Sequence, residues 1–295
     1  MGRQTGWQFL DDRGHLAATA HTPARVVAYI QAGATLFDHG LCPVGLFGSR
    51  HDGENPDTAK AGSLPLADIA YLGSGSALDT DALLRAAPDL VVAVTYGGGQ
   101  VYGIDAETAK HVEERVPLAV IDVGQGRSLG ELRDRFTELA RSLGAATGGP
   151  AEAELDRAAG RLRDAAGAAA HPRILALSPA GPDSVHLARP PAWPDLRELT
   201  ELGSTLAEPP SGPGTGWSTT GWGGAQSLEP DIILTDIRGN AYPVDELRGV
   251  ADWQALEARA RLVPWNPEVP CSLAAHARFL HTVADAVEAF GDPRL

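Results

Sequence analysis

Cysteine, methionine, long apolar runs and positive charge are what this chain is short of. Only two cysteines, Cys42 and Cys271, and one methionine occur in 295 residues. The cysteines form neither a CxxC pair nor a zinc-spaced cluster, which excludes a thiolate metal centre and a disulfide scaffold as organising features. Two unrelated buried thiols are expected; one disulfide joining them is the alternative. No run of eighteen apolar residues exists, so no helix is expected to span a membrane. With 24 basic residues against 38 acidic ones the formal net charge is −14, and no basic stripe offsets it. Such a chain repels a phosphate backbone, and nucleic acid is not an expected partner.

Catalytic signatures are missing as well. There is no Gly-x-Ser-x-Gly elbow, no His-Glu-x-x-His and no dinucleotide-type glycine fingerprint on a first strand. Catalytic groups can be scattered, so a recruited enzymatic role stays open beside a binding one. The opening Met1-Gly2-Arg3-Gln4-Thr5-Gly6-Trp7 runs straight into polar sequence and does not read as a secretory leader. Taken as written it predicts a cytoplasmic protein. If a leader has been removed, the same chain would be an extracytoplasmic, membrane-anchored lipoprotein.

What the chain does have is a phrase used twice. Arg25-Val26-Val27-Ala28-Tyr29-Ile30 is a strand-like run after Pro23, and Arg173-Ile174-Leu175-Ala176-Leu177 has the same character after Pro172. Ala82–Ala87 reads as a short helix stopped by Pro88-Asp89, before the buried strand Leu90–Val94. Ala225–Glu229, Pro230-Asp231 and Ile232–Thr235 repeat that order. In each copy proline ends a helix and a continuous apolar run follows, as strands covered by helices on both faces require. The copies are about 140 to 150 residues apart, a spacing that suits two domains of ordinary size.

Between them Leu129, Leu132, Phe136, Leu139 and Leu143 step by three and four along one helical face. After Gly144 and the Thr147-Gly148-Gly149-Pro150 turn, Leu155, Ala158, Ala159, Leu162 and Ala166 resume the stripe. A last helix over roughly Ser272 to Phe290 turns Leu273, Leu280, Val283 and Val287 inward. The expected fold class is α/β: two doubly wound lobes joined by a long helical connector, with a ligand cleft between them. The boundaries read as 1–126 for the first lobe, 127–170 for the connector and 171–295 for the second lobe. One larger doubly wound sheet is the alternative. A helical connector would act as a stiff strut and keep lobe closure small.

This arrangement resembles the helical-backbone (class III) solute-binding proteins of iron-siderophore, haem and cobalamin ABC importers. Phe9-Leu10-Asp11-Asp12-Arg13-Gly14 looks like that family's N-terminal hairpin. Pro23–Ala28 followed by Leu36–Gly45 looks like its first strand, helix and second strand. Pro194–Leu199 with Glu201-Leu202-Gly203 looks like the matching helix of the second lobe. Trp222 and Trp265 stand where siderophore-binding members often carry tryptophans. The resemblance implies non-catalytic binding of a ferric siderophore or similar metal chelate for uptake, no cofactor, a monomer, and an ABC permease as partner. It also implies a docking carboxylate on each lobe, seven residues before the Pro-Asp pair. In the first lobe that residue is Asp81. In the second it is Gly223, which departs from the pattern and puts docking in doubt. A cytoplasmic relative recruited to bind or process a small molecule in a biosynthetic pathway is the second reading.

In doubly wound lobes ligands sit beyond the carboxyl ends of the strands. The candidates there are Tyr29, Gln31, Phe47, Ser49, Arg50, His51, Tyr96 and Tyr102, with Gly97-Gly98-Gly99 letting the backbone turn tightly. In the second lobe they are His186, Arg189, Trp217, Trp222, Asp236, Arg238, Tyr242 and Trp265. The long Gly, Pro and Ser-rich segment from Pro209 to Gly224 is the kind of loop that is either functional or disordered. Aromatic walls with a few arginines suit a ferric chelate, and the acidic chain favours a neutral or cationic one, such as a hydroxamate, over a highly anionic catecholate. A direct metal site from His39, His51, His186 and Asp52 is a rival reading; no metal ligand is assigned.

Overall fold

A computed structural model describes residues 6–124, 126–146, 148–168 and 171–291. The reading of Met1–Thr5 as the chain's opening, and Thr147 of the inter-helix turn, lie outside the described residues. The chain divides into two compact units, Met1–Gly149 with Glu268–Ser272, and Pro150–Pro267 with Leu273–Leu295.

The first unit opens with a hairpin of β1 (Trp7–Leu10) and β2 (Leu16–Thr19). Then follow β3 (Val26–Tyr29), α1 (Ile30–Asp38), β4 (Gly45–Gly48), α2 (Thr58–Ala61) and β5 (Ala70–Ser74). The unit continues through α3 (Thr80–Arg85), β6 (Leu90–Thr95), α4 (Ala106–Glu113), β7 (Leu118–Asp122) and α5 (Leu129–Ser142). Strands β3 to β7 form a parallel sheet in the order β5-β4-β3-β6-β7. All residues of β3, β4 and β6 are buried, the mark of strands covered on both faces. Helix α1 starts directly at Ile30, and a Cβ at Gly33 would lie 2.6 Å from Leu46 Cδ2, so a larger residue there would have to displace that buried side chain of β4.

The hairpin closes the β7 edge of this sheet. Asp12 N donates to Val120 O at 3.0 Å, while Val120 N and Asp122 N donate to the carboxylates of Asp11 and Asp12 at 3.2 and 2.8 Å. Side-chain oxygens thus replace a missing strand and leave β7 no open ladder for another chain to join.

The second unit contains α6 (Pro150–Ala166), β8 (Arg173–Pro179), β9 (Val185–Ala188), α7 (Pro194–Glu201), β10 (Thr205–Leu206) and β11 (Trp217–Thr220). It ends with α8 (Trp222–Gln226), β12 (Ile232–Asp236), α9 (Ala251–Glu257), β13 (Arg261–Trp265) and α10 (Leu273–Gly291). Its sheet runs β11-β9-β8-β12-β13, with β10 pairing β8. Strands β8, β12 and β13 are parallel as expected, but β9 pairs antiparallel with both β8 and β11, so this sheet is mixed.

The expected helical stripes are both present. Leu129, Leu132, Phe136 and Leu139 are buried along α5; Leu155, Ala158, Leu162 and Ala166 are buried along α6. The first helix belongs to the first unit and the second to the second unit. Both cysteines are free thiols; Cys271 is buried as expected, whereas Cys42, expected to be buried, is exposed. Among the described residues no helix is long and apolar enough to cross a membrane.

The repeated phrase is repeated in its atoms. Asp89 N donates to Arg25 O at 2.8 Å, and Asp231 N to Arg173 O at 2.9 Å. The Asp89 carboxylate accepts Arg25 N at 3.0 Å, and that of Asp231 accepts Arg173 N at 2.8 Å. Each arginine side chain also bonds the end of the preceding helix, Arg25 through Ala86 O and Arg173 through Leu228 O. Ala87 and Glu229, each directly before the proline, take φ of +46° and +47°. Asp89→Ala and Asp231→Ala should each lower the unfolding free energy by about 1–2 kcal/mol. Chemical denaturation of the two variants measures this, and similar losses are expected because the two clamps are built alike.

Candidate functional site

The strands of the first unit's sheet are parallel, so their carboxyl ends share one edge. Four of the expected aromatics meet there. Tyr29 is fully buried and lies 5.9 Å from Phe47 and 5.6 Å from Tyr102, ring centre to ring centre. Tyr102 meets Tyr96 edge-on at 4.7 Å, and Tyr96 is 39% exposed, so the stack reaches from core to solvent. The turn between Tyr96 and Tyr102 depends on Gly97, Gly98 and Gly99, which all take positive φ, and Tyr102 N returns to Val94 O at 2.8 Å.

Behind these rings lies a charge network that the sequence reading did not identify. Lys60 is 0% exposed and its Nζ bonds Asp52 Oδ1 at 2.7 Å and Glu268 Oε1 at 3.1 Å. Asp52 Oδ2 accepts Ser49 N at 2.6 Å, and Glu268 Oε2 accepts the Tyr29 hydroxyl at 2.5 Å. Burial pulls the Lys60 ammonium towards neutrality, but the Glu268 and Asp52 carboxylates outweigh it and hold its pKa above the ordinary value. Burial and the Glu268 carboxylate push Tyr29 well above the usual phenol range. Gln31, buried, donates to Val269 O at 3.0 Å. Arg50 is exposed, with its Nε 3.4 Å from His51 Nε2.

In the second unit three tryptophans converge. Trp193 lies 4.8 Å from Trp217 and 5.7 Å from Trp265, and Trp217 lies 5.9 Å from Trp265. His186 adds its ring 6.2 Å from Trp217. Gly216 O ties the group together by accepting both Arg189 N and Trp193 Nε1 at 2.9 Å. Trp265 is buried and donates Nε1 to Asp195 Oδ2 at 2.6 Å. Asp195 is buried too, and that burial, opposed by the Trp265 bond, pushes its pKa up to about 6.

The expected arginines differ in circumstance. Because β9 is antiparallel to β8, Arg189, the residue after its last, lies alongside the amino half of β8, while His186 lies opposite Ser178 nearer the carboxyl end. Arg189 Nη1 donates to Pro210 O at 3.0 Å, yet its Nε and Nη2 are buried with no hydrogen-bond partner. Arg238 is locked to the buried Asp236, with Nε 3.0 Å from Oδ1 and Nη2 2.7 Å from Oδ2. Trp222 stands apart from the other tryptophans: at 3% exposure it packs 5.1 Å from Trp253 in a separate core and donates to Gly181 O at 3.1 Å. Tyr242 packs against that same core.

His39, His51 and Asp52 are in the first unit and His186 is in the second. Asp52 is already engaged by Lys60 and Ser49. Among the described residues no group of three or more His, Cys, Asp or Glu side chains is placed to hold a metal ion. Residues the sequence reading missed are Lys60, Glu268, Asp195 and Trp193. Only Trp193, a tryptophan between Ala192 and Pro194, carried a local signal.

No family model matches the chain, and no curated protein matches it. Solved structures do. The chain is similar to DesE, a ferric-siderophore receptor protein from Streptomyces coelicolor, at 29% identity and a TM-score of 0.84 over 96% of this chain and 98% of that one. The Fe3+-Desferal-bound siderophore binding protein FhuD from Vibrio cholerae matches at 15% identity and a TM-score of 0.64, over 90% of this chain and 98% of that one. The periplasmic heme-binding protein RhuT from Roseiflexus sp. RS-1 matches at 17% identity and 0.63, with the same coverage.

The raised Asp195 pKa has a stability consequence with a definite sign. The folded state binds that proton more tightly than the unfolded chain, so its contribution is greatest in acid and is lost as pH rises from about 4 through about 6. Wild type should therefore exceed Asp195→Ala in unfolding free energy by about 2 kcal/mol more at pH 4.5 than at pH 7.5. Denaturant titrations at the two pH values give that difference, and a gap that widens towards neutral pH would refute it.

Proposed function

From a chain that folds as a helical-backbone (class III) solute-binding protein, the family of siderophore and haem importers, we propose that it binds a ferric siderophore or similarly sized metal chelate for uptake and catalyses nothing. The observation that carries this reading is the second unit's aromatic surface, to which Gly216 O ties the backbone of Arg189. Half-buried Trp193 and Trp217, backed by the buried Trp265, offer ring surface to a bulky apolar framework. Arg189 adds a permanent cation with two buried, unpartnered nitrogens. Buried guanidinium nitrogens without a partner are costly, and a ligand presenting oxygen acceptors relieves that cost. A ferric chelate has both properties, an apolar periphery and an oxygen-rich centre.

The nature of DesE as a ferric-siderophore receptor supports the same ligand class. Net charge narrows it further: at −14 the chain suits a neutral or cationic hydroxamate better than a highly anionic catecholate. Arg238, paired with Asp236, adds little free positive charge. A permease partner on the outer side of the membrane belongs to this reading. Asp81 stands exposed in the first turn of α3 and offers one docking carboxylate; exposed Gly223 on α8 offers none.

Titrating tryptophan fluorescence with ferric hydroxamates, ferric catecholates, haem and cobalamin tests the proposal. Saturable quenching by a ferric hydroxamate at micromolar or lower concentration is expected, and silence from every chelate would overturn it. Trp217→Ala should weaken that binding by about 1–3 kcal/mol. Trp222→Ala should instead cost about 3–5 kcal/mol of stability, because it empties a core position.

A further inference from the structure

A lysine with no solvent exposure is an unusual thing to keep. Apolar residues of similar volume often replace buried ion pairs at no loss of stability, or with a gain. Stability alone therefore gives little reason for Lys60, and its geometry supplies another. Its ammonium joins two carboxylates, and each of those uses its second oxygen on a different part of the aromatic edge. Asp52 Oδ2 takes Ser49 N at 2.6 Å and so shapes the turn that carries Arg50 and His51, and His51 N closes onto Ser49 Oγ at 3.2 Å. Glu268 Oε2 takes the hydroxyl of Tyr29 at 2.5 Å. Tyr29 in turn is the inner ring of the stack that passes through Tyr102 to the exposed Tyr96.

Glu268 is itself well held. Within the same five-residue stretch Val269 O accepts Gln31 Nε2 at 3.0 Å, Cys271 N donates to Thr35 Oγ1 at 2.9 Å, and Ser272 Oγ donates to Asp38 Oδ2 at 2.5 Å. Three of those partners lie on α1, the helix that starts at the residue after Tyr29. The acceptor for the Tyr29 hydroxyl is thus fixed to the element that extends Tyr29's own strand.

We infer that the buried Lys60–Asp52–Glu268 network is a positioning device for the first unit's ligand face, with Glu268 acting through Tyr29. The network presets the ring stack before any ligand arrives, so that binding does not have to order it. This rests on the proposed chelate-binding function and adds to it the residues that hold the site in shape.

A double-mutant cycle on the full chain separates positioning from general support. The probe is whichever ferric hydroxamate quenches the wild type. Tyr29→Phe and Glu268→Leu each sever the same hydroxyl-to-carboxylate bond, and each should weaken binding by about tenfold. Combined, they should weaken it by about the same tenfold, because the bond can be lost only once. Losses that multiply, or single variants that bind as wild type, would overturn the inference. If Glu268→Leu fails to fold, Tyr29→Phe decides alone, since it removes one oxygen from a buried ring, and unchanged affinity would refute the role. A wild type that binds no ferric chelate would remove the proposed function first, and this inference with it.

Discussion

The two Pro-Asp clamps are the constraint on which both sheets depend. A parallel sheet needs each chain to return to the same edge before entering the next strand, with neighbouring strands in register. In both units one aspartate does this at the entry to the central ladder. Its amide and carboxylate grip both polar groups of an arginine's backbone, Arg25 in one and Arg173 in the other. That arginine's guanidinium satisfies carbonyls at the end of the short helix before the proline. The helix stop, the turn and the strand register become one local problem with one solution. The left-handed residues Ala87 and Glu229 mark what the solution costs. That the same non-glycine strain recurs at both places makes the duplication a matter of backbone geometry as well as of residue spelling.

This explains which parts of the molecule could be read from sequence. The Pro-Asp phrase, the stripe from Leu129 to Ala166 and the apolar runs that open β3, β6 and β12 are local, and each carries its period or its stop signal within a few residues. The aromatic edge of the first unit was legible for the same reason: Tyr29, Phe47, Tyr96 and Tyr102 lie in or just beyond recognisable parallel strands. Legibility failed where partners are far apart in the chain. Glu268 sits in a stretch without periodicity, and its partners Tyr29 and Lys60 are over two hundred residues away. Lys60, on a four-residue helix, looks like any surface lysine until its burial is known. Strand direction was the other blind spot. Nothing in Val185–Ala188 announces that β9 runs antiparallel, and that reversal alone decides which end of the sheet Arg189 faces. Trp222, five residues beyond Trp217, shares its loop but packs on a different core, because α8 begins there and turns it inward.

The molecule buries charge in three distinct ways, and the contrast bears on what each place is for. Lys60 sits between two carboxylates with both of their remaining oxygens used, a closed arrangement with nothing left to bind. Asp236 and Arg238 form a bidentate pair, also closed. Arg189 is open: one nitrogen meets a carbonyl and two meet nothing. Closed arrangements shape a surface, whereas an open one is completed by something from outside. The sequence, which supplies three arginines of equal promise, does not distinguish them; their partners do.

Asp195 belongs to neither class and shows how a binding surface can be paid for in stability. Buried, it is harder to ionise than in the unfolded chain, so at neutral pH its charge works against the fold. A leucine there would avoid that penalty but would leave the Trp265 indole N–H without an acceptor in a place water does not reach. Trp265 touches both Trp193 and Trp217, so a loosened indole would disturb every ring of the cluster. A neutral acceptor such as asparagine brings N–H groups of its own to a spot that already faces donors from Trp265 and from the Leu196 amide. Only a carboxylate accepts on all sides. The destabilising charge and the fixed tryptophan are therefore consequences of one choice of residue, and a more stable variant at this position would be expected to hold its aromatic surface less firmly.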